Sequence, residues 1–69
     1  MMLPEYTRVM LVSDKYIQEG AYRGMLGYVI EVYDDGNYEV EFSDPDTGRS
    51  LAQVVVTPED IVESPERDR

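Results

Sequence analysis

Apolar and polar residues alternate along two stretches in the middle of the chain. Gly27 to Tyr33 (GYVIEVY) and Asn37 to Ser43 (NYEVEFS) keep the period of two expected of strands with one face in a core, and both are rich in Val, Ile, Tyr and Phe. Between them, Asp34-Asp35-Gly36 predicts a three-residue hairpin loop, a type I turn followed by Gly36 in the left-handed conformation. That loop sets Tyr33 opposite Asn37, Val32 opposite Tyr38, Glu31 opposite Glu39, Ile30 opposite Val40 and Tyr28 opposite Phe42. One face then holds Tyr28, Ile30, Val32, Tyr38, Val40 and Phe42 and carries no charge. The other holds Val29, Glu31, Tyr33, Glu39 and Glu41. A two-residue Asp35-Gly36 turn would set Val32 against Glu39 and mix the faces, because a one-residue slip reverses every side chain.

The flanking patterns alternate less regularly. Tyr6 to Val12 (YTRVMLV) reads as a first strand, with Val9 and Leu11 on one face. Residues 13–26 alternate poorly, contain Gly20 and Gly24, and predict a long loop. DPDTG (Asp44 to Gly48) is a turn by its Asp, Pro and Gly content. Ser50 to Thr57 (SLAQVVVT) predicts a fourth strand whose apolar run is expected to be buried on both sides near its end. Pro58-Glu59-Asp60 breaks it as one helical turn, and Ile61 and Val62 form a brief fifth strand. There are no internal repeats. The expectation is one domain over residues 1–63 and a flexible tail over 64–69.

Composition narrows the chemistry. The 69 residues include no cysteine and no histidine, which removes disulfides, thiolate metal sites and the commonest general base. A core in a domain of this size rarely supplies more than ~3–5 kcal/mol. The start, MMLPEYTRV, lacks the features of a signal peptide, and no run approaches the ~18 apolar residues that span a bilayer. A cytoplasmic protein is the expectation.

The net charge of -9 is uneven. Glu5, Asp14 and Glu19 cancel Arg8, Lys15 and Arg23 in residues 1–26, so all the excess lies beyond. Twelve acids there face only Arg49, Arg67 and Arg69. Few bases are left to displace counterions from phosphates, which argues against direct nucleic-acid binding, including RNA binding, and against anionic membranes. A basic protein partner fits better.

Five short strands, a long first loop, two tight hairpins and a helical turn before the last strand predict an all-β fold whose order resembles a small SH3-like barrel. The stretch Arg23-Gly24, Gly27-Tyr28-Val29 and Val32, followed by Gly36 to Phe42 (GNYEVEF), also resembles a family of roughly seventy-residue bacterial proteins of unknown function. The likeness covers about residues 6–62. The fold is similar, too, to the barrel ending nitrile hydratase β-subunits. Members of the family are often small partners encoded beside another gene. The resemblance therefore implies an antitoxin or immunity-type inhibitor, or else an accessory or maturation subunit of an enzyme.

Seven acids and no base lie between Glu31 and Asp46. A solvated face and two Asp-favouring turns would account for them, and charged edges discourage aggregation. The predicted Glu31–Glu39 pair points further, since like charges opposite each other on a sheet cost something in the ~0.2–1 kcal/mol range. Tyr33 beside them adds a rigid ring with a polar tip, a frequent interface residue. Glu31, Tyr33, Asp34, Asp35, Glu39 and Glu41 are therefore the candidate partner-binding residues, on a monomer or weak homodimer.

Tyr16 and Tyr22 in the long loop are secondary candidates, although closure of the barrel end explains them as well, and the chain lacks the Trp and the ALYDY-like start of proline-peptide binders. Asp44 to Gly48 lacks the later ligands of a calcium loop. Ser13, Ser43, Ser50 and Ser64 have no histidine to activate them. No catalytic residue, metal site or cofactor is expected, and the chain is read as a binding protein. An acidic nucleic-acid mimic acting against a DNA- or RNA-binding protein is a further alternative.

Overall fold

A computed structural model describes residues 3–65. They form an all-β fold with one antiparallel sheet of five strands in the order β4-β3-β2-β1-β5. The strands are β1 (Arg8–Leu11), β2 (Leu26–Val32), β3 (Tyr38–Ser43), β4 (Ser50–Val56) and β5 (Ile61–Glu63). Two short 3-10 turns, Ile17–Glu19 and Pro58–Asp60, are the helical elements among the described residues. None of these is long and apolar enough to cross a membrane.

Each strand turns alternate side chains toward a common core. Val9 and Leu11 of β1, Val29 of β2, Tyr38, Val40 and Phe42 of β3, Val54 and Val56 of β4, and Ile61 of β5 are buried together with Ala21 from the first loop. The hairpin loop is as expected. Tyr33 N–H donates to the Asn37 carbonyl at 2.9 Å, Gly36 has φ 91°, and Glu31 lies opposite Glu39 and Val32 opposite Tyr38. Asp35 fastens this turn by accepting from the Asn37 backbone N–H at 3.0 Å.

Beyond Glu31 the register changes. A bulge leaves Ile30 without a partner, so Val29 faces Val40, Tyr28 faces Glu41 and Gly27 faces Phe42. Two expectations are overturned: the Ile30–Val40 and Tyr28–Phe42 pairs do not form, and Val29 is fully buried whereas Tyr28 is exposed. Strict alternation gave the wrong face because one extra residue in a strand exchanges its two faces from that point on. Val55 is likewise exposed rather than buried, since only Val54 and Val56 turn inward.

Gly27 is required where it stands. A Cβ there would lie 2.5 Å from the Glu41 carbonyl oxygen and 2.9 Å from a Val40 methyl, closer than atoms approach. β2 also begins at Leu26 rather than Gly27, and β1 is shorter than Tyr6 to Val12. The loop between β1 and β2 is pinned rather than loose. Gly24 N–H donates to Leu11, and Arg23 bonds both the Val12 carbonyl and the Asp14 carboxylate. Of the expected tail, Ser64 N–H donates to Arg8, extending the β5 edge, while residues 66–69 lie outside the described residues.

Gly27→Ala is expected to destabilise the domain by about 1–3 kcal/mol, because the neighbour that must move is backbone. Urea unfolding of the two proteins measures this. A change below about 0.5 kcal/mol would show that β2 and β3 do not approach so closely.

Candidate partner-binding face

The bulge and the strand order together assemble a surface outside the core. Register places Arg8, Tyr28, Glu41 and Gln53 in one row across β1, β2, β3 and β4. A second row holds Glu31, Glu39 and Val55 across β2, β3 and β4. Tyr28, Tyr33, Leu51 and Val55 are exposed among these polar residues. The face thus mixes carboxylates, tyrosine rings and short aliphatic side chains. A basic residue, Arg8, stands at its margin. The composition of the hairpin alone hid this residue, since only the β1–β2 pairing brings it in.

Glu39 is the organised carboxylate of the face. Tyr33 Oη donates to its Oε1 and Gln53 Nε2 to its Oε2, each at 2.5 Å. The Gln53 and Tyr33 hydrogen bonds hold its carboxyl below the usual range, and the same contact pushes the Tyr33 phenol up. Glu31 lies directly opposite on β2. Among the described residues, the carboxylates of Glu31, Asp34 and Glu41 accept no hydrogen bond and form no ion pair.

Asp35 and Asp44 serve turns. Asp35 closes the β2–β3 loop. Asp44 Oδ1 accepts from the backbone of Asp46 at 2.7 Å and Thr47 at 3.3 Å, which shapes the β3–β4 turn. Asp34 stands exposed at the hairpin tip. A cleft of ≈ 200 Å³ beside that second turn is lined by Arg8, Tyr28, Ser43, Asp44 and Gly48 among others. Among the described residues no three acidic side chains gather as metal ligands would.

Tyr16 and Tyr22 part company. Tyr22 is exposed, whereas Tyr16 packs against the core and its Oη donates to Asp60 Oδ2 at 2.5 Å. Asp60 itself is buried, with 2% of its surface accessible. Thr57 donates to the same oxygen from its hydroxyl at 2.7 Å and its N–H at 3.1 Å, and Lys15 Nζ lies 3.1 Å from Oδ1. The carboxylate thereby ties the first loop to the turn before β5. Sequence reasoning missed this group. Its local signal was the Thr57-Pro58-Glu59-Asp60 capping box, in which a carboxylate at the third helical position reaches back to the cap residue.

Residues 5–63 match the model of a protein family described as a domain of unknown function (DUF4926). The chain belongs to this family. No curated protein and no solved structure matches it. The matched segment takes in all five strands, the Tyr16–Asp60 contact and the whole acidic hairpin, so the candidate face lies within the family's domain.

The Asp60 contact makes stability depend on pH at both ends. Burial alone would raise the Asp60 carboxyl, but hydrogen bonds from Tyr16, Thr57 and Lys15 outweigh it and bring the pKa from 3.8 to about 2. A group depressed in this way stabilises the fold fully above its unfolded pKa and loses that contribution as pH falls from about 4 through 2. The amount is on the order of 2 kcal/mol. Burial and Asp60 push the Tyr16 phenol up to about 12, so its share is present below pH 10 and is lost as pH rises through 12. The two losses are one interaction broken from either side and do not add.

Tyr16→Phe is expected to cost about 1.5–3 kcal/mol at neutral pH, as for loss of a hydrogen bond to a charged group, and to flatten the acid limb. Denaturant unfolding across the acid range measures both. An unchanged acid limb would place the titrating group elsewhere.

Proposed function

We propose that this domain is a non-enzymatic protein-binding module that docks the outer face of β2, β3 and β4 onto a basic surface of another protein. The observation carrying this reading is the company the carboxylates keep. Glu31, Glu39 and Glu41 share one face with exposed Tyr33, Leu51 and Val55, the mixture of charge and rigid apolar area that suits an interface. The Glu31–Glu39 pair adds nothing to the stability of a small sheet by itself, whereas a cation brought by a partner would relieve it.

The finer reading is an antitoxin or immunity-type inhibitor whose carboxylates cover the substrate site of a basic cognate enzyme in the bacterial cytoplasm. It is supported by the acidic excess and by a strand order like that of an SH3-like barrel. An accessory or maturation subunit is the second reading, suggested by the resemblance expected from the sequence to the barrel of nitrile hydratase β-subunits. Fold-level likeness is the weaker warrant of the two.

Capture of partners by the tagged full chain from its native lysate, with washes at low and high salt, tests this. One basic protein retained in stoichiometric amount is expected, weakened but not abolished by salt because tyrosine and aliphatic contacts persist. Its release by the Glu31→Gln/Glu41→Gln double variant should follow. Retention of that protein by the double variant as strongly as by the parent would remove the acidic face from the interface.

A further inference from the structure

Among the described residues, β4 lies at the edge of the sheet and is paired on one side only. Edge strands ordinarily carry a charge or a proline that blocks further pairing. Ser50–Val56 (SLAQVVV) has neither. The phase of the ladder tells which of its backbone groups face outward. Tyr33 N–H bonds the Asn37 carbonyl, so on β3 Glu39 turns its backbone groups toward β2, and Tyr38, Val40 and Phe42 turn theirs toward β4. Their partners Val56, Val54 and Ala52 therefore face β3, and Val55 and Gln53 face away, while Leu51 is the extra residue of a bulge opposite Phe42 and Ser43.

The two ends of this edge are less open than its middle. Gly20, after the first 3-10 turn, approaches Leu51 closely enough that a Cβ there would be 3.9 Å from the Leu51 carbonyl oxygen. Beyond the strand, the Thr57 N–H is taken by Asp60. The open part is Gln53 to Val55, where two residues present an N–H and a C=O each.

The side chains beside this opening define what would fill it. Inward from Val55 the row continues to Glu39, and inward from Gln53 to Glu41. An added strand would lie two strand spacings, about 10 Å, from β3. A Lys or Arg on it, laid across the short and exposed Val55, brings its charged end toward Glu39, with the apolar stem covering the valine. The Glu39 carboxylate is already oriented by Tyr33 and Gln53. A second copy of the chain would bring its own Glu39 and Glu41 up to this edge, with a net charge of -9 on each copy.

We propose that the open edge of β4 at Gln53 and Val55 receives an extended segment of the partner as an additional strand, with Lys or Arg at the alternate positions on the side of Glu39 and Glu41. The proposal rests on the reading above that the partner is basic, and adds how it is held: backbone hydrogen bonds for affinity and alternate basic side chains for selectivity.

The probe is a capped heptapeptide of alternating lysine and valine, (Lys-Val)3-Lys, with two analogues of equal charge N-methylated either at the lysines or at the valines. Each is titrated into the full chain while amide hydrogen exchange is followed by NMR. The parent peptide is expected to bind and to slow exchange at Gln53 and Val55. One analogue should bind at least about tenfold more weakly, because it loses the hydrogen bonds of one edge. Equal binding of all three peptides without protection at Gln53 and Val55 would overturn strand addition and leave the basic-partner reading standing. Failure of every peptide to bind would also overturn it, and the lysate capture would still decide the broader reading. Protection of both amides in the protein alone, with sedimentation as a dimer, would assign the edge to a second copy and overturn it too.

Discussion

Ile30 stands unpaired in the β2–β3 ladder, and the composition of both faces of the domain depends on that one residue. With regular pairing throughout, Tyr28 would enter the core and Val29 would face outward. The bulge reverses the two, so a small β-branched residue meets Val40 inside and a tyrosine joins Glu41 and Arg8 outside. The close contact of Gly27 with the Glu41 carbonyl is part of the same arrangement, because the strand that has shifted by one residue must still lie flat against β3. Ten of the described residues, all apolar, are thereby buried together in the core, with the tyrosine left at the surface.

The acids, which dominate the composition, divide by role once the fold is known. Asp35 and Asp44 shape turns through backbone hydrogen bonds. Asp60 is a buried tie between the first loop and the turn before β5, joined to it by Tyr16, Thr57 and Lys15. Such a group is costly to leave unpaired and adds specificity when fully satisfied. Glu39 is held in place on the surface by Tyr33 and Gln53. Among the described residues the carboxylates of Glu31, Asp34 and Glu41 make no hydrogen bond or ion pair; Glu31 and Glu41 flank Glu39 on the face where apolar side chains are also exposed, and Asp34 stands at the hairpin tip.

Much of the fold was legible in the sequence for physical reasons that can be named. The hairpin loop was, because Asp34-Asp35-Gly36 satisfies one loop geometry well and Gly36 can take the positive φ it needs. The Glu31–Glu39 pair followed from that loop, being only one step beyond Val32 and Tyr38. The bulge was not legible, since a period of two carries no mark where a residue is added. The Val55 error has a similar source: three successive valines look alike, and only the solvated outer face of the sheet leaves the middle one exposed. The Tyr16–Asp60 tie spans 44 residues, and no local pattern records such a contact, although the capping box around Asp60 marked that carboxylate as engaged.

On the proposed reading, the carboxylates of Glu31 and Glu41 serve a partner and do not help the domain to fold. Urea unfolding of the Glu31→Gln/Glu41→Gln double variant beside the parent, at low and at high salt, tests it most directly. A variant at least as stable as the parent at low salt is expected, with the difference shrinking as salt screens the repulsion between Glu31 and Glu39. A variant clearly less stable than the parent at low salt would mean that these acids support the sheet themselves, and the claim would fail.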